Sequence, residues 1–101
     1  MAFRVQFNQK SVEDIDSIIE YYMAQNERAA ETIYRSLIKK AESLEDFAER
    51  GRMVPELLDE DVRHIRELID GNFRIIYRIN DKTAEILRVI DSRQLLKMNI
   101  D

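Results

Sequence analysis

The chain has 101 residues, enough for one domain with a two-layer core and little more. A composition of 45% hydrophobic and 36% charged residues excludes a disordered tail, and the absence of cysteine excludes disulfides and thiolate metal sites. A net charge of −4 argues against a protein whose main work is gripping nucleic acid, although an acidic body can still carry a local positive patch.

One histidine makes a zinc site improbable, so no metal or cofactor is expected. Met1-Ala2-Phe3-Arg4 leads straight into a strand-like run, without the basic and apolar regions of a signal peptide. No apolar run is long enough to span a bilayer, so no membrane association and a cytoplasmic location are expected.

Phe3, Val5 and Phe7 alternate with Arg4 and Gln6, which predicts a short half-buried strand closed by Asn8-Gln9-Lys10. Ser11-Val12-Glu13-Asp14 has the form of a helix start, with Ser11 as N-cap and acidic residues in the first turn. Val12, Ile15, Ile18, Ile19 and Tyr22 follow at helical spacing, so the helix is expected to reach about Asn26, with Tyr22 in the core and Tyr21 exposed. A second helix from about Arg28 to Phe47 places Ala30, Ile33, Tyr34, Leu37, Ile38, Ala41 and Leu44 on one stripe. The short connection makes the pair an antiparallel hairpin. Gly51 and Pro55 break both helix and strand patterns, so Glu49 to Asp61 reads as irregular, with Asp59-Glu60-Asp61 a solvated turn.

From Val62 to Arg93, three apolar runs are separated by Asp70-Gly71-Asn72 and by Asn80-Asp81-Lys82-Thr83, the pattern of an antiparallel three-stranded meander. Gly71 is read as a turn residue able to take positive φ. Phe73, Ile75, Tyr77 and Ile79 alternate with Arg74, Ile76 and Arg78, giving the middle strand an apolar face and a mixed basic face. Arginine recurs at 63, 66, 74, 78, 88 and 93, and it is the side chain best suited to phosphate or carboxylate recognition. Beyond Arg93, residues 94–100 form a short amphipathic tail. Strand, helical hairpin and meander together predict one α+β domain over 1–101, two layers thick, with the hairpin on one face of the sheet.

Several segments in this order carry a resemblance. They are Phe3-Arg4-Val5-Gln6-Phe7; Asp14, Ile15, Ile18 and Tyr21-Tyr22; Ala29-Ala30; and Gly51-Arg52-Met53-Val54-Pro55-Glu56. Arg66-Glu67-Leu68, Phe73-Arg74-Ile75-Ile76-Tyr77-Arg78 and Ile86-Leu87-Arg88-Val89-Ile90-Asp91-Ser92-Arg93 complete them. Over nearly its whole length the chain resembles the RelE/ParE superfamily of toxins from bacterial type II toxin–antitoxin modules. The segment around Pro55 and the strand around Ile76 look most like the ParE branch of plasmid-stabilisation toxins. That resemblance implies a growth-inhibiting toxin that blocks DNA gyrase by binding. It also implies a hetero-oligomer with a cognate antitoxin, whose flexible C-terminal segment folds around the toxin. The RelE branch implies instead a ribosome-dependent endoribonuclease acting on messenger RNA. A third alternative is a non-toxic remnant that keeps only antitoxin binding.

Cleavage needs a general acid or base, and cations to meet charge building on the scissile phosphate. Matched by position to the RelE-type site, His64, Arg66, Arg74 and Arg93 fall where that branch has basic residues, and the His64 imidazole could stand in as the acid or base. The pattern's tail Tyr or His has no counterpart here: Gln94, Lys97 and Asn99 are the polar groups after Arg93. Inhibition by binding is therefore preferred to enzymatic action. Arg74, Arg78 and Arg93, with the apolar Leu95, Leu96 and Met98, are the expected partner-binding residues, an arginine beside apolar groups being the usual makeup of an interaction hot spot. The tail packing back on its own sheet is an equal alternative. The bland reading of Arg66, Arg74, Arg78 and Arg88 is surface pairing with some of the 20 acidic residues; it is preferred for Arg88, whereas Arg74 and Arg93 are read as functional.

Overall fold

The computed structural model describes residues 2–60 and 64–92. Strand β1 (Arg4–Phe7) leads into helices α1 (Gln9–Met23) and α2 (Glu27–Glu42). After two single 3-10 turns comes β2 (Arg52–Met53), then a 3-10 segment over Pro55–Glu60. Strands β3 (Ile65–Asp70), β4 (Phe73–Asn80) and β5 (Thr83–Asp91) follow. They form one sheet in the order β1-β5-β4-β3-β2, the α+β arrangement expected.

The meander is present, with Gly71 at φ 58° in the first turn and Asp81 at φ 59° in the second. Strand β1 joins its outer edge by pairing parallel to β5, Val5 opposite Ala84 and Phe7 opposite Ile86. Parallel pairing requires a crossover, which the hairpin and the rest of the meander supply. A bulge in β5 sets Ile76 opposite Arg88 but Tyr77 opposite Ile86, so Leu87 is the extra residue.

The helices start and end earlier than their apolar stripes suggest. Asn8, not Ser11, caps α1: its side-chain oxygen accepts the Ser11 N–H at 2.8 Å, and the Ser11 hydroxyl donates back to the Asn8 carbonyl at 2.8 Å. Ser11 is thereby buried inside the first turn. The chain turns after Met23, and Asn26 caps α2 by accepting the Ala29 N–H at 3.1 Å. α2 gives way to a 3-10 turn at Ser43–Glu45, so Phe47 lies outside the helix with 67% of its surface exposed. Val12 and Tyr34, placed on the stripes by their spacing, are exposed.

Ile15, Leu37, Ala41 and Leu44 pack on Phe73, Ile75, Tyr77, Ala84, Ile86 and Val89 to make the main core. Tyr22 joins its margin, edge-on to Phe73 at 6.4 Å between ring centroids, while Tyr21 is exposed, both as expected. The opposite sheet face is where the irregular segment acquires a purpose. Val54 and Leu57 bury themselves there against Ile65, Ile76, Leu87 and Ile90. Residues 52–60 thus form a strap across the face that the helices leave open.

Candidate functional site

Alternation along β3 and β4 puts Ile65, Glu67 and Ile69 on the same side as Arg74, Ile76 and Arg78, the side under the strap. Glu67 is 1% exposed and Arg74 5%, so each is an ion that must find its counter-charge inside the protein. They find each other: Arg74 Nε donates to Glu67 Oε1 at 2.7 Å. The far end of the same guanidinium meets Glu56 on the strap as a two-pronged fork, Nη1 to Oε2 at 2.8 Å and Nη2 to Oε1 at 2.7 Å. Arg52 Nε completes the chain of charges on Glu67 Oε2 at 2.6 Å. Among the described residues, the two arginines and two glutamates of this chain of contacts balance in charge. Hydrogen bonding to Glu56, reinforced by Glu67, holds the Arg74 guanidinium protonated beyond even the usual arginine range, against the opposing effect of burial.

Arg78, further along the strand, donates from Nη2 to Glu85 at 2.7 Å. Arg66 faces the helical side and donates from Nη1 to the Gly51 carbonyl at 2.9 Å and the Glu49 carbonyl at 3.2 Å. That contact helps fix the root of the strap, and Tyr77 fixes it more firmly. The Tyr77 hydroxyl donates to the Ala48 carbonyl at 2.6 Å and accepts the Gly51 N–H at 2.9 Å. Burial raises the Tyr77 phenol above its ordinary value, partly offset by the bond from Gly51. His64 is exposed, just ahead of β3, and its carbonyl accepts the Ile79 N–H at 3.0 Å.

A shallow groove on the other side of the sheet runs between α1 and the end of β5, walled by Tyr21, Tyr22, Phe73, Arg88 and Asp14. Asp14 links its two walls. One carboxylate oxygen accepts from Arg88 Nε at 2.7 Å and from the Val89 N–H at 2.9 Å, and the other accepts from Arg88 Nη2 at 3.1 Å. β1 ends at Phe7, and its continuation past Ile86 would have met that N–H; Asp14 substitutes for a missing strand.

The expected site residues therefore separate. Arg74 sits under the strap, Arg78 two positions beyond Ile76 on the same face, and Arg66 on the opposite face with His64 near it in the chain. The bland reading of Arg74 as a solvated surface residue is corrected: it is buried because the strap lies over it. Arg88 is paired with an acidic side chain, as preferred, yet the pair spans helix and sheet and is mostly shielded from solvent. Arg93, Leu95, Leu96 and Met98, with Asp61, lie outside the described residues. Among the described residues no group of three or more His, Asp or Glu side chains is placed to hold a metal ion, and no helix is long and apolar enough to cross a membrane.

Residues 5–96 match the ParE toxin of the type II toxin–antitoxin system, parDE. The chain belongs to the ParE toxin family. Among solved structures, the fold is similar to a chain of the chromosomal ParDE toxin–antitoxin system from P. aeruginosa. That similarity has a TM-score of 0.75 and 20% identity over 89% of this chain and 96% of that one. It is also similar to a chain of the RelBE2 toxin–antitoxin complex from Mycobacterium tuberculosis, with a TM-score of 0.67 and 21% identity over 90% of this chain and 92% of that one. No curated protein matches the sequence.

In this ParE-family toxin the residues that sequence reasoning missed are Glu56, Glu67, Arg52 and Asp14. One signal pointed to Glu67. It stands at an apolar position, between Ile65 and Ile69 on the face that also holds Ile76, and an acid there implies a buried cation opposite it. Nothing in the spacing of Glu56 signals its pairing, because the strap that carries it follows no regular period.

Proposed function

We propose that this ParE-family toxin arrests growth in the cytoplasm by binding DNA gyrase, and that a cognate antitoxin neutralises it. The observation that carries this reading is the strap-covered sheet face, on which Arg74 and Arg78 are both paired with glutamates. Messenger RNA cleavage on that face would require cations ready to meet charge developing on the phosphate. Arg74 is instead engaged by Glu56 and Glu67, and Arg78 by Glu85. An inhibitor that works by binding needs shape and contact, and such pairs give a surface rigidity without chemistry. The match to the ParE toxin supports the same reading, and the toxin–antitoxin systems of the two similar structures support an antitoxin as partner. Arg93, Leu95, Leu96 and Met98, with the part-exposed Arg78, are the proposed contact residues.

The purified chain should inhibit gyrase supercoiling of relaxed plasmid, and equimolar antitoxin should restore it. In a translating extract it should produce no codon-positioned cuts by toeprinting. Normal supercoiling together with cuts abolished by His64→Ala would replace this function with the endoribonuclease alternative. Truncation after Ser92 or Arg93→Ala should relieve growth arrest in cells lacking antitoxin while leaving the far-ultraviolet circular dichroism unchanged; full toxicity of the folded truncation would move the active surface elsewhere.

A further inference from the structure

The outer side of the helical hairpin keeps large apolar side chains in solvent. Val12 is 44% exposed, Met23 51% and Tyr34 48%. Their directions follow from two side chains that reach the sheet. Asp14 bonds Arg88 and Val89 on β5, and Ser36 donates to Asp70 on β3 at 2.7 Å. Two residues along a helix are about 200° around it, so Val12, two before Asp14, and Tyr34, two before Ser36, point away from those contacts. Met23 and the half-buried Ile19 share the flank of Val12, and the half-buried Ile38 shares that of Tyr34. Residues 24–26 turn the chain, so Met23 and Glu27 lie level with each other. Counting back along α1 and forward along α2 sets Val12 level with Ile38 and Asp16 level with Tyr34. An apolar seam therefore runs along the top of the hairpin.

The charges beside the seam differ between the helices. α1 carries four acidic residues and one lysine, and Glu13, Asp16 and Glu20 are exposed. α2 carries four basic and three acidic residues, and Arg28, Arg35 and Lys39 are exposed. We infer that the seam is the interface of a homodimer in which α1 of each copy lies antiparallel on α2 of the other. A two-fold axis running along the hairpin sets the acidic helix on the basic one in both halves of the interface. An axis running across it would set acidic on acidic, so charge selects the first. Rotation about that axis keeps every residue at its own level, which brings Asp16 of one copy to Arg35 of the other, twice. Arg35 also holds Glu31 of its own helix, but both side chains are open to solvent and such a pair is weak competition. Tyr and Met at the centre with charges at the rim is the usual makeup of an interface. Helices of 15 and 16 residues, about 23 Å long and about 10 Å across, offer about 500 Å² per copy, the small end of specific interfaces, so the dimer is weak and reversible. The strap lies on the other side of the sheet and stays open in it, and the inference is independent of the gyrase reading.

Sedimentation velocity of the full chain without antitoxin, from about 1 to about 200 μM, should show a monomer–dimer equilibrium with a midpoint on the order of 10 μM. Asp16→Arg and Arg35→Asp each oppose like charges at both contacts, and each should weaken the dimer roughly tenfold or more while leaving the far-ultraviolet circular dichroism unchanged. An equimolar mixture of the two variants regains both opposite-charge contacts and should dimerise within about threefold of the native chain. A native chain monomeric at about 200 μM would overturn the proposal, as would a dimer that either reversal leaves intact or a mixture that stays monomeric. Should a variant fail to fold, the native chain decides. The nitrogen-15 amide resonances that move on dilution should be those of Val12, Asp16, Tyr34 and Arg35, and movement confined to the sheet would refute the interface. Seam resonances that stay still on dilution but move on adding equimolar antitoxin would give the seam to that partner and overturn the homodimer.

Discussion

The root of the strap offers the sharpest test of how this fold is held. Gly51 has φ −67° and ψ 152°, a backbone that any residue adopts, so conformational freedom does not explain glycine here. Space does. A Cβ at Gly51 would fall on the Tyr77 hydroxyl oxygen, 2.8 Å from its ring carbon Cε1 and 2.9 Å from the Glu67 carbonyl oxygen. The ring is buried and the carbonyl belongs to a central strand, so neither yields cheaply. Gly51→Ala should therefore break one or both Tyr77 hydrogen bonds, about 1 kcal/mol each, and add overpacking strain of about 1–3 kcal/mol. A total near 3 kcal/mol corresponds to a loss of roughly 10–20 °C in Tm for a domain of this size. Thermal melts by circular dichroism measure it, and Tyr77→Phe supplies the control. Removing the hydroxyl clears the nearest obstacle while leaving Cε1 and the carbonyl in place. The double variant should thus be less destabilised than the sum of the singles, by about 1 kcal/mol. A Gly51→Ala chain that melts within about 2 °C of the native one, well under the shift expected for 1 kcal/mol, would refute the steric account.

Three further outcomes follow from the same geometry. Arg74→Ala should cost about 3–5 kcal/mol in urea denaturation because it strands Glu67 in the interior with Arg52 as its remaining ion-pair partner; replacing Arg74 and Glu67 together by Met and Leu should recover much of the loss. Asp14→Ala removes both Arg88 bonds and leaves the Val89 N–H without its acceptor, so a loss of about 2 kcal/mol is expected, and an unchanged urea midpoint would show that solvent replaces Asp14 freely. The raised Tyr77 phenol gives stability that is intact below its ordinary value of 10.0 and is lost as pH rises toward the folded value. Melting points of the native chain should therefore fall steeply above about pH 10, and Tyr77→Phe should show a shallower alkaline limb; parallel limbs would assign the decline to other groups.

The fold was legible where the sequence keeps a simple period. Phe73, Ile75, Tyr77 and Ile79 alternate cleanly, two turn signals flank them, and the meander followed with Gly71 and Asp81 at positive φ. Helical stripes gave both helices but misplaced their ends. An asparagine ahead of each stripe took the cap by presenting its side-chain oxygen to an N–H three residues on, and that local competition leaves no trace in hydrophobic spacing. The place of β1 was not legible either, because a strand that pairs in parallel with the last strand of the chain has no turn to announce its partner.

The candidate site shows why arginine counts alone mislead. Arg74 and Arg78 share one face of β4 and invite the reading of a basic surface, yet whether that surface exists depends on what crosses it. The deciding residues are Val54 and Leu57, which anchor a segment without periodicity, and Glu56 between them, which reaches Arg74 only because its neighbours are buried on Ile65 and Ile76. Burial of Val54 and Leu57 removes apolar surface worth about 1.5–3 kcal/mol each, and that is what holds a charged side chain over a charged face. A Val54→Ser/Leu57→Ser chain with Glu56 intact should therefore loosen the Glu56–Arg74 fork as surely as removing the carboxylate. The Arg74 side-chain N–H protons report it directly, through faster solvent exchange in the double variant. Exchange as slow as in the native chain would mean that the ion pair holds the strap, and not the strap the ion pair.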